Sequence, residues 1–446
     1  MEHSITKLNT QLILLSVLIM LEFACRDKGV EPPINTNKIK LTLIDTSVRE
    51  VYLHIYVANP SNSETVTVLR NGVEARSFNA AITDTMFADT GLVANTRYIY
   101  QALRQMGGIM DVKSNEVRIN TLTPTSHSFT WQTFVLGGGD DSWLRDVTII
   151  DQDNIWAVGW INVRDLSGQV DPNSYNAVNW NGRDTQLIRI PTKIWNTSSY
   201  ITGELKAIYS INSSNILVST GGQVVWYDGR NWGGDQFLFA DLNDTTFGGL
   251  DRFAGFDQFR IWGVGDKGNI FYYGGNNWQR ISSGTTTPIN DVLGVINPVN
   301  QKEEIYCAVS DIFQFKDRKI LKLVDGQIDS VSWNAQRDVV ISLWTNRGFP
   351  MYVGGGLGLY ENKTGAWQKV DFGGTKVYPS SVRGTSLNNI VVVGSFGLIA
   401  HCNGIDWKVL TDVYDAFYTA VAVKGNTVAA VGSKNGRAIL IIGKQN

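Results

Sequence analysis

Ile261-Trp-Gly-Val-Gly-Asp-Lys-Gly-Asn-Ile-Phe-Tyr-Tyr-Gly-Gly-Asn-Asn-Trp278 contains the rule that organises most of the chain. A short apolar run ends in Gly, a polar turn leads into a second apolar run, and Gly-Asn-Asn then closes on Trp. Asn and Gly reach the positive φ that a tight hairpin needs, so the stretch reads as three successive antiparallel strands. Outward from it the first run recurs as Ile155-Trp-Ala-Val-Gly159, Ile216-Leu-Val-Ser-Thr-Gly221, Tyr306-Cys-Ala-Val-Ser310, Met351-Tyr-Val-Gly354, Val391-Val-Val-Gly394 and Val428-Ala-Ala-Val-Gly432, making seven copies. The closing turn recurs as Asp228-Gly-Arg-Asn-Trp232, Gly365-Ala-Trp367 and Asn403-Gly-Ile-Asp-Trp407. The copies end at residues 159, 221, 265, 310, 354, 394 and 432, so six steps lie between 38 and 62 residues, the longest holding the polar insertion Asn162 to Ser174. No stretch of ten residues shows an amphipathic 3.6-residue period. Units of this length with a Gly and an aromatic each predict propeller blades.

The ends of the repeat predict how the ring closes. The seventh unit has Phe417-Tyr-Thr-Ala-Val-Ala-Val423, Val428 to Gly432 and Arg437-Ala-Ile-Leu-Ile-Ile442, and no Trp-led strand follows. Trp131-Gln-Thr-Phe-Val-Leu-Gly137, ahead of the first unit, matches the outer strands Trp278-Gln-Arg-Ile and Trp367-Gln-Lys-Val. The sequence therefore predicts an all-β chain whose residues 128–446 form a seven-bladed β-propeller closed by one N-terminal plus three C-terminal strands, which hides the sheet edges.

Residues 39–125 follow another pattern. Val51-Tyr-Leu-His-Ile-Tyr-Val57 and Thr65-Val-Thr-Val-Leu69 alternate as strands, and Arg70-Asn-Gly-Val73 is a hairpin signal. Asp89-Thr-Gly-Leu92-Val-Ala-Asn-Thr96-Arg-Tyr98 followed by Ser114 to Thr121 resembles the last strands of fibronectin type III domains. That resemblance implies a β-sandwich with a tyrosine corner at Tyr98, acting as a spacer. Ahead of it, Leu12 to Leu21 is an apolar run of ten residues, too short for a membrane span and of the length of a signal h-region. Leu21-Glu-Phe-Ala-Cys25 resembles a bacterial lipobox, which implies a signal peptide over 1–24, lipidation of Cys25 and a tether over 25–38 that holds the protein to a membrane.

Composition narrows the chemistry. Only 18 % of residues are charged and the formal charge is −2, so no basic footprint points to nucleic acid. Four His, none grouped with Cys or carboxylates, provide no zinc ligand set, and no cofactor motif is present. Cys307 and Cys402 fall in separate repeats and read as small buried hydrophobes. Asp146, Asp291 and Asp338 precede Val147, Val292 and Val339 at matching places in their units, a repetition that favours turn or cap roles over catalysis.

The repeat resembles the propellers of photosystem II assembly and stability factors and the repeats of sialidases. The sialidase Ser-x-Asp-x-Gly-x-Thr-Trp box is reduced here to its Gly and Trp, as in Tyr227-Asp-Gly-Arg-Asn-Trp232, so the resemblance implies fold rather than sugar cleavage. Arg145, Lys206, Arg252, Asn290, Arg337 and Arg383 fall near the starts of the innermost strands and are expected to form a rim at the channel mouth. The expectation is a monomeric, non-enzymatic, envelope-anchored lipoprotein that binds a protein partner or an anionic glycan. A carbohydrate-binding or sialidase-like protein is the alternative.

Overall fold

The computed structural model describes residues 38–60, 64–79, 84–105, 112–138, 141–241, 243–335, 338–410 and 415–446. Cys25, Arg337 and the signal and tether segments lie outside them. Strands dominate; among the described residues the one helical element is a single 3-10 turn at Asp266–Gly268.

Residues 129–446 contain seven four-stranded antiparallel sheets, each running from the centre outward in chain order. Every one of the seven quoted repeat segments begins in the second strand of its sheet. The innermost strands are Trp143–Asp151, Ala207–Asn212, Arg252–Asp257, Ile289–Ile296, Ser342–Trp344, Pro379–Ser386 and Ala416–Lys424; each touches the next, and the last touches the first, so the sheets circle one axis as propeller blades. The seventh sheet takes its fourth strand from Phe129–Leu136, which pairs with Arg437–Gln445 in a register that sets Trp131 opposite Gly443 and Leu136 opposite Ala438. Gly443 is required there: a Cβ at that position would come within 2.7 Å of three Trp131 ring atoms.

The repeated Trp residues work between blades. Trp232, Trp278, Trp367 and Trp407 each begin a fourth strand. Trp232 lies edge-on to Trp156 of the first blade, and Trp407 to Tyr352 of the fifth, with centroids at 5.7 and 6.1 Å. Trp367 donates its indole N–H to Ser332 O of the fourth blade at 2.7 Å. Cys307 and Cys402 are buried and free.

Residues 39–120 fold as two facing sheets, one of Ile39–Thr46, Val51–Val57 and Asp84–Asp89, the other built on Thr65–Arg70, Val73–Asn79 and Arg97–Gln105, with Val117–Asn120 at its edge. Leu41, Leu53, Val68, Phe87 and Tyr100 fill the space between them. The Tyr98 hydroxyl accepts the Val93 N–H at 3.0 Å, and Asn71 and Gly72 take the left-handed conformation of a tight hairpin.

The first turn of this unit is built into the propeller. Ile44 and Tyr52 share one apolar cluster with Trp344, Tyr352, Leu387 and Ile390 of blades five and six, and Tyr52 meets Phe349 edge to face at 5.6 Å. Asn346 donates to the Asp45 carboxylate at 2.9 Å, and Lys363 bridges Glu50 and Glu361 at 3.3 and 3.2 Å. Asn388 fastens the linker through the Thr123 carbonyl at 2.7 Å. Phe349, Lys363 and Asn388 sit in turns at the ends of innermost or third strands, so the sandwich docks on one face of the ring.

Where that linker meets the last strand, His401 is fully buried, with its Nδ1 2.9 Å from His127 Nδ1 and its Nε2 facing Asn389 and Gln445. Burial, reinforced by His127 and opposed by Asp406, pulls its pKa from the ordinary 6.5 down to about 4. The unfolded chain therefore takes up this proton first. The contribution of His401 to stability is complete above pH 6.5 and drains away as pH falls toward 4, a loss on the order of 3 kcal/mol at most. Asp45, raised by burial to about 6, acts in the opposite sense, being favourable below 3.8 and lost as pH rises through 6. Comparison with a His401→Gln variant isolates the His401 effect: the stability advantage of the native protein in urea unfolding at pH 7 should shrink by pH 4.5. A pH-independent difference contradicts this assignment.

Candidate functional site at the channel mouth

All seven innermost strands begin with the same irregularity. In blades one, four, six and seven the register slips by one residue, leaving Arg145, Asn290, Ser380 and Thr419 without a partner on the second strand. In blades two, three and five the extra residue opens the strand: Lys206, Asp251 and Ile341 send their N–H to a second-strand carbonyl that also faces the residue after them. A bulge turns one side chain away from the alternation of the strand. None of these seven residues is buried, and together they line two adjoining cavities of about 260 and 420 Å³ at one end of the channel.

The next layer in joins the blades. The residue after the bulge accepts a backbone N–H from the innermost strand of the following blade: Asp146 from Ile208 at 3.1 Å, Asp291 from Leu343 at 3.1 Å, Ser342 from Val382 at 3.1 Å and Ser381 from Val421 at 3.4 Å. The other junctions use Ser219 to Leu250 O, Ile289 N–H to Gly265 O and Thr419 to Leu144 O, at 2.8 to 3.0 Å. Asp146 and Asp291 are therefore structural acceptors, as their repetition suggests. Asp338 is not their equivalent, since Ser342 fills that place in blade five. It sits four residues earlier and caps the Val339 and Leu357 N–H groups at 2.8 Å.

Four of the candidate rim residues, Arg145, Lys206, Arg252 and Asn290, meet at the 260 Å³ cavity. Their charges are mostly matched. Arg145 pairs with Glu204 at 2.8 Å, and Lys206 with Asp251 at 3.1 Å. Asn290 directs its amide N–H groups to Ser310 and Val340 O of the blade four to five junction. Arg252 alone among these cations has no ion pair with a described residue; its one hydrogen bond goes to Asp251 O at 2.8 Å. The mouth is thus a mixed-charge surface rather than a positive funnel. Asp251, Asp266 and Glu204 belong to it as well; Asp251 stands among the acids the sequence offers, whereas Asp266 and Glu204 were not singled out there. Burial, and then the charge of Asp251, raise the Asp266 pKa.

Arg383 belongs elsewhere. It is the fifth residue of its strand, beyond the joining layer, and its guanidinium grips Asp291 of blade four at 2.6 and 2.8 Å. Burial alone would raise Asp291, but Arg383 and the Ser342 hydroxyl more than offset it and hold the carboxyl below its usual range. Asp146 is pushed up by burial, which the charge of Arg252, the Ile208 and Val147 N–H groups and the charge of Arg383 do not offset. Arg252 and Arg383 both line the 280 Å³ cavity at the far end of the channel, so they and the two Asp form a charged partition across its throat. Arg337 lies outside the described residues. No group of three His, Cys, Asp or Glu suited to a metal ion occurs among the described residues.

No family model matches the chain, and no curated protein matches it. Among solved structures, YCF48 bound to a D1 peptide is similar at a TM-score of 0.51 and 12% identity, covering 72% of this chain and 97% of that one. YCF48 from Cyanidioschyzon merolae is similar at 0.50 and 12%, covering 70% of this chain and 98% of that one. At that identity the likeness shows a shared propeller fold.

The partition gives a direct test of the Arg383 placement. Asp291→Ala strands a guanidinium that is 24% exposed and should destabilise the protein by up to about 3 kcal/mol, whereas Asp291→Leu with Arg383→Met should cost far less. Equal losses in chemical denaturation would mean that the pair is not the buried unit described.

Proposed function

We propose that the chain is a non-catalytic, envelope-anchored lipoprotein whose seven-bladed propeller, closed by one N-terminal and three C-terminal strands, is a platform for binding another protein. The fibronectin type III-like sandwich over 39–125 fixes the propeller to the tether, and acylated Cys25 fixes the tether to a membrane. One observation carries the reading: seven blades turn seven side chains of differing chemistry into one open mouth. Such a surface suits recognition of an extended, chemically varied ligand more than the small, enclosed pocket that chemistry demands. The peptide bound to a YCF48 propeller supports it by analogy of fold.

The alternative, a carbohydrate-active protein, is favoured by Asp251 and Asp266, two acids on one cavity with Asp266 raised. Lys206 occupies Asp251 at 3.1 Å, which leaves one carboxyl where glycoside hydrolysis generally uses two.

Capture from native envelopes tests both readings. The full-length protein should co-purify with a protein partner, and Arg145→Ala with Lys206→Ala and Arg252→Ala should reduce recovery, as should salt raised above physiological strength. Cys25→Ser should move the protein into the soluble fraction. Hydrolysis of sialoside or aryl glycoside substrates, abolished by Asp266→Asn, would instead establish the carbohydrate-active reading.

A further inference from the structure

The innermost strands start at the mouth, so each turn between second and third strands lies on the mouth face as well. In blades four to six these turns carry large apolar side chains in the open. Phe313 is 89%, Phe315 52%, Leu357 55% and Phe396 65% exposed. Tyr378, just ahead of blade six, and Phe417, second in the innermost strand of blade seven, are 36% and 44% exposed. These residues are contiguous rather than scattered. Tyr378 and Phe396 meet ring to ring at 5.7 Å, Gly397 bonds the carbonyl of Ala416 beside Phe417, and a Cβ on Gly356 would touch Phe315 at 3.9 Å. Tyr378, Phe417 and the backbone flanking the others line the 420 Å³ cavity. A turn that exposes large aromatics forgoes the polar residues turns favour, and contiguous exposed apolar surface marks a contact site.

The other half of the mouth is charged. Its bulge residues are Arg145, Lys206 and Asp251, against Ile341, Ser380 and Thr419 in blades five to seven. Arg252 lines the 260 and 420 Å³ cavities alike, at the seam between the two halves, and lacks a carboxylate partner among the described residues. We infer that the mouth face docks an extended peptide segment of a partner protein that places apolar side chains on the crescent of blades four to seven and a carboxylate on Arg252. The inference rests on the protein-binding reading and specifies its face and chemistry. Arg252 sets the charge of the occupant: its guanidinium forms no ion pair with a described carboxylate and acts on buried Asp146 and Asp291 only through space, so beside apolar surface it gains a paired hydrogen-bonded carboxylate, and a basic segment would meet it with like charge. The face is open for docking, because the sandwich occupies the opposite ends of blades five and six. The sandwich also points its chain start away: Ile39 pairs with Val57 at the far end of the sheet whose turn meets the ring, about 25 Å from it at some 3.3 Å per strand residue. A tether leaving there turns the mouth outward.

The test uses fluorescence anisotropy on the full chain with three synthetic octapeptides: one alternating Asp with Phe or Leu, one with Lys for Asp, and one with Ser for the apolar residues. The first should bind, and both others at least about tenfold more weakly. Arg252→Gln should strengthen rather than weaken binding of the second peptide, by removing the like charge, and should weaken binding of the first about tenfold. Phe396→Ser with Leu357→Ser should weaken it similarly, with the thermal midpoint preserved because both side chains are exposed. Equal binding of the acidic and basic peptides, or indifference to both variants, overturns the inference. If an envelope partner is still captured equally by both variants, the binding platform stands and only its placement at the mouth falls.

Discussion

The ring depends on satisfying backbone N–H groups at its inner edge. Each innermost strand has a second strand on one side and the channel on the other, and an unpaired buried N–H costs about as much as a lost hydrogen bond. The chain meets this with a one-residue bulge followed, in four blades, by a side-chain acceptor that reaches the next blade: Asp146, Asp291, Ser342 and Ser381. Each of these acceptors directly follows a bulge residue. Inserting one residue sets the following side chain toward the neighbouring blade and turns the extra one into the mouth, so the device that closes the ring also furnishes its opening.

That coupling explains why most polar groups in the channel are already engaged. Asp146 and Asp291 are acceptors, Arg383 compensates Asp291, Asn290 ties blades four and five, and Lys206 holds Asp251. Arg252 stands apart because blade three places it, rather than an acceptor, in the joining layer. The apolar crescent stands apart for another reason: its residues occupy turns, where no packing requirement of the ring calls for them.

The repeat was legible because its causes are local. Gly at a tight approach recurs from blade to blade and Trp begins the outer strand in four of them, and Trp131 could be matched to those strands although its partner Gly443 lies at the other end of the chain. The tyrosine corner at Tyr98 and the hairpin at Asn71 are local for the same reason. What escaped the sequence is relational. Ile44 and Tyr52 alternate like ordinary strand residues, and nothing in their spacing says that they face a second domain. Arg383 and Asp291 are separated by 92 residues, and only the angular offset between two blades brings them together. Asp338 repeats the Asp-Val dipeptide without sharing its register. The crescent did leave a signal, in Gly356-Leu-Gly358 and Ser395-Phe-Gly397, where a large apolar residue sits inside a Gly turn and has no core to enter.

The sandwich and the mouth lie on opposite faces of the ring, so the account assigns anchoring to one face and recognition to the other. Site-specific photo-crosslinking in native envelopes separates the two most directly. A benzoylphenylalanine in place of Phe396 on the mouth face should give a discrete protein adduct, and the same group in place of Phe259, a 55% exposed residue in a turn on the opposite face of blade three, should give none. An adduct at 259 without one at 396 would contradict the account.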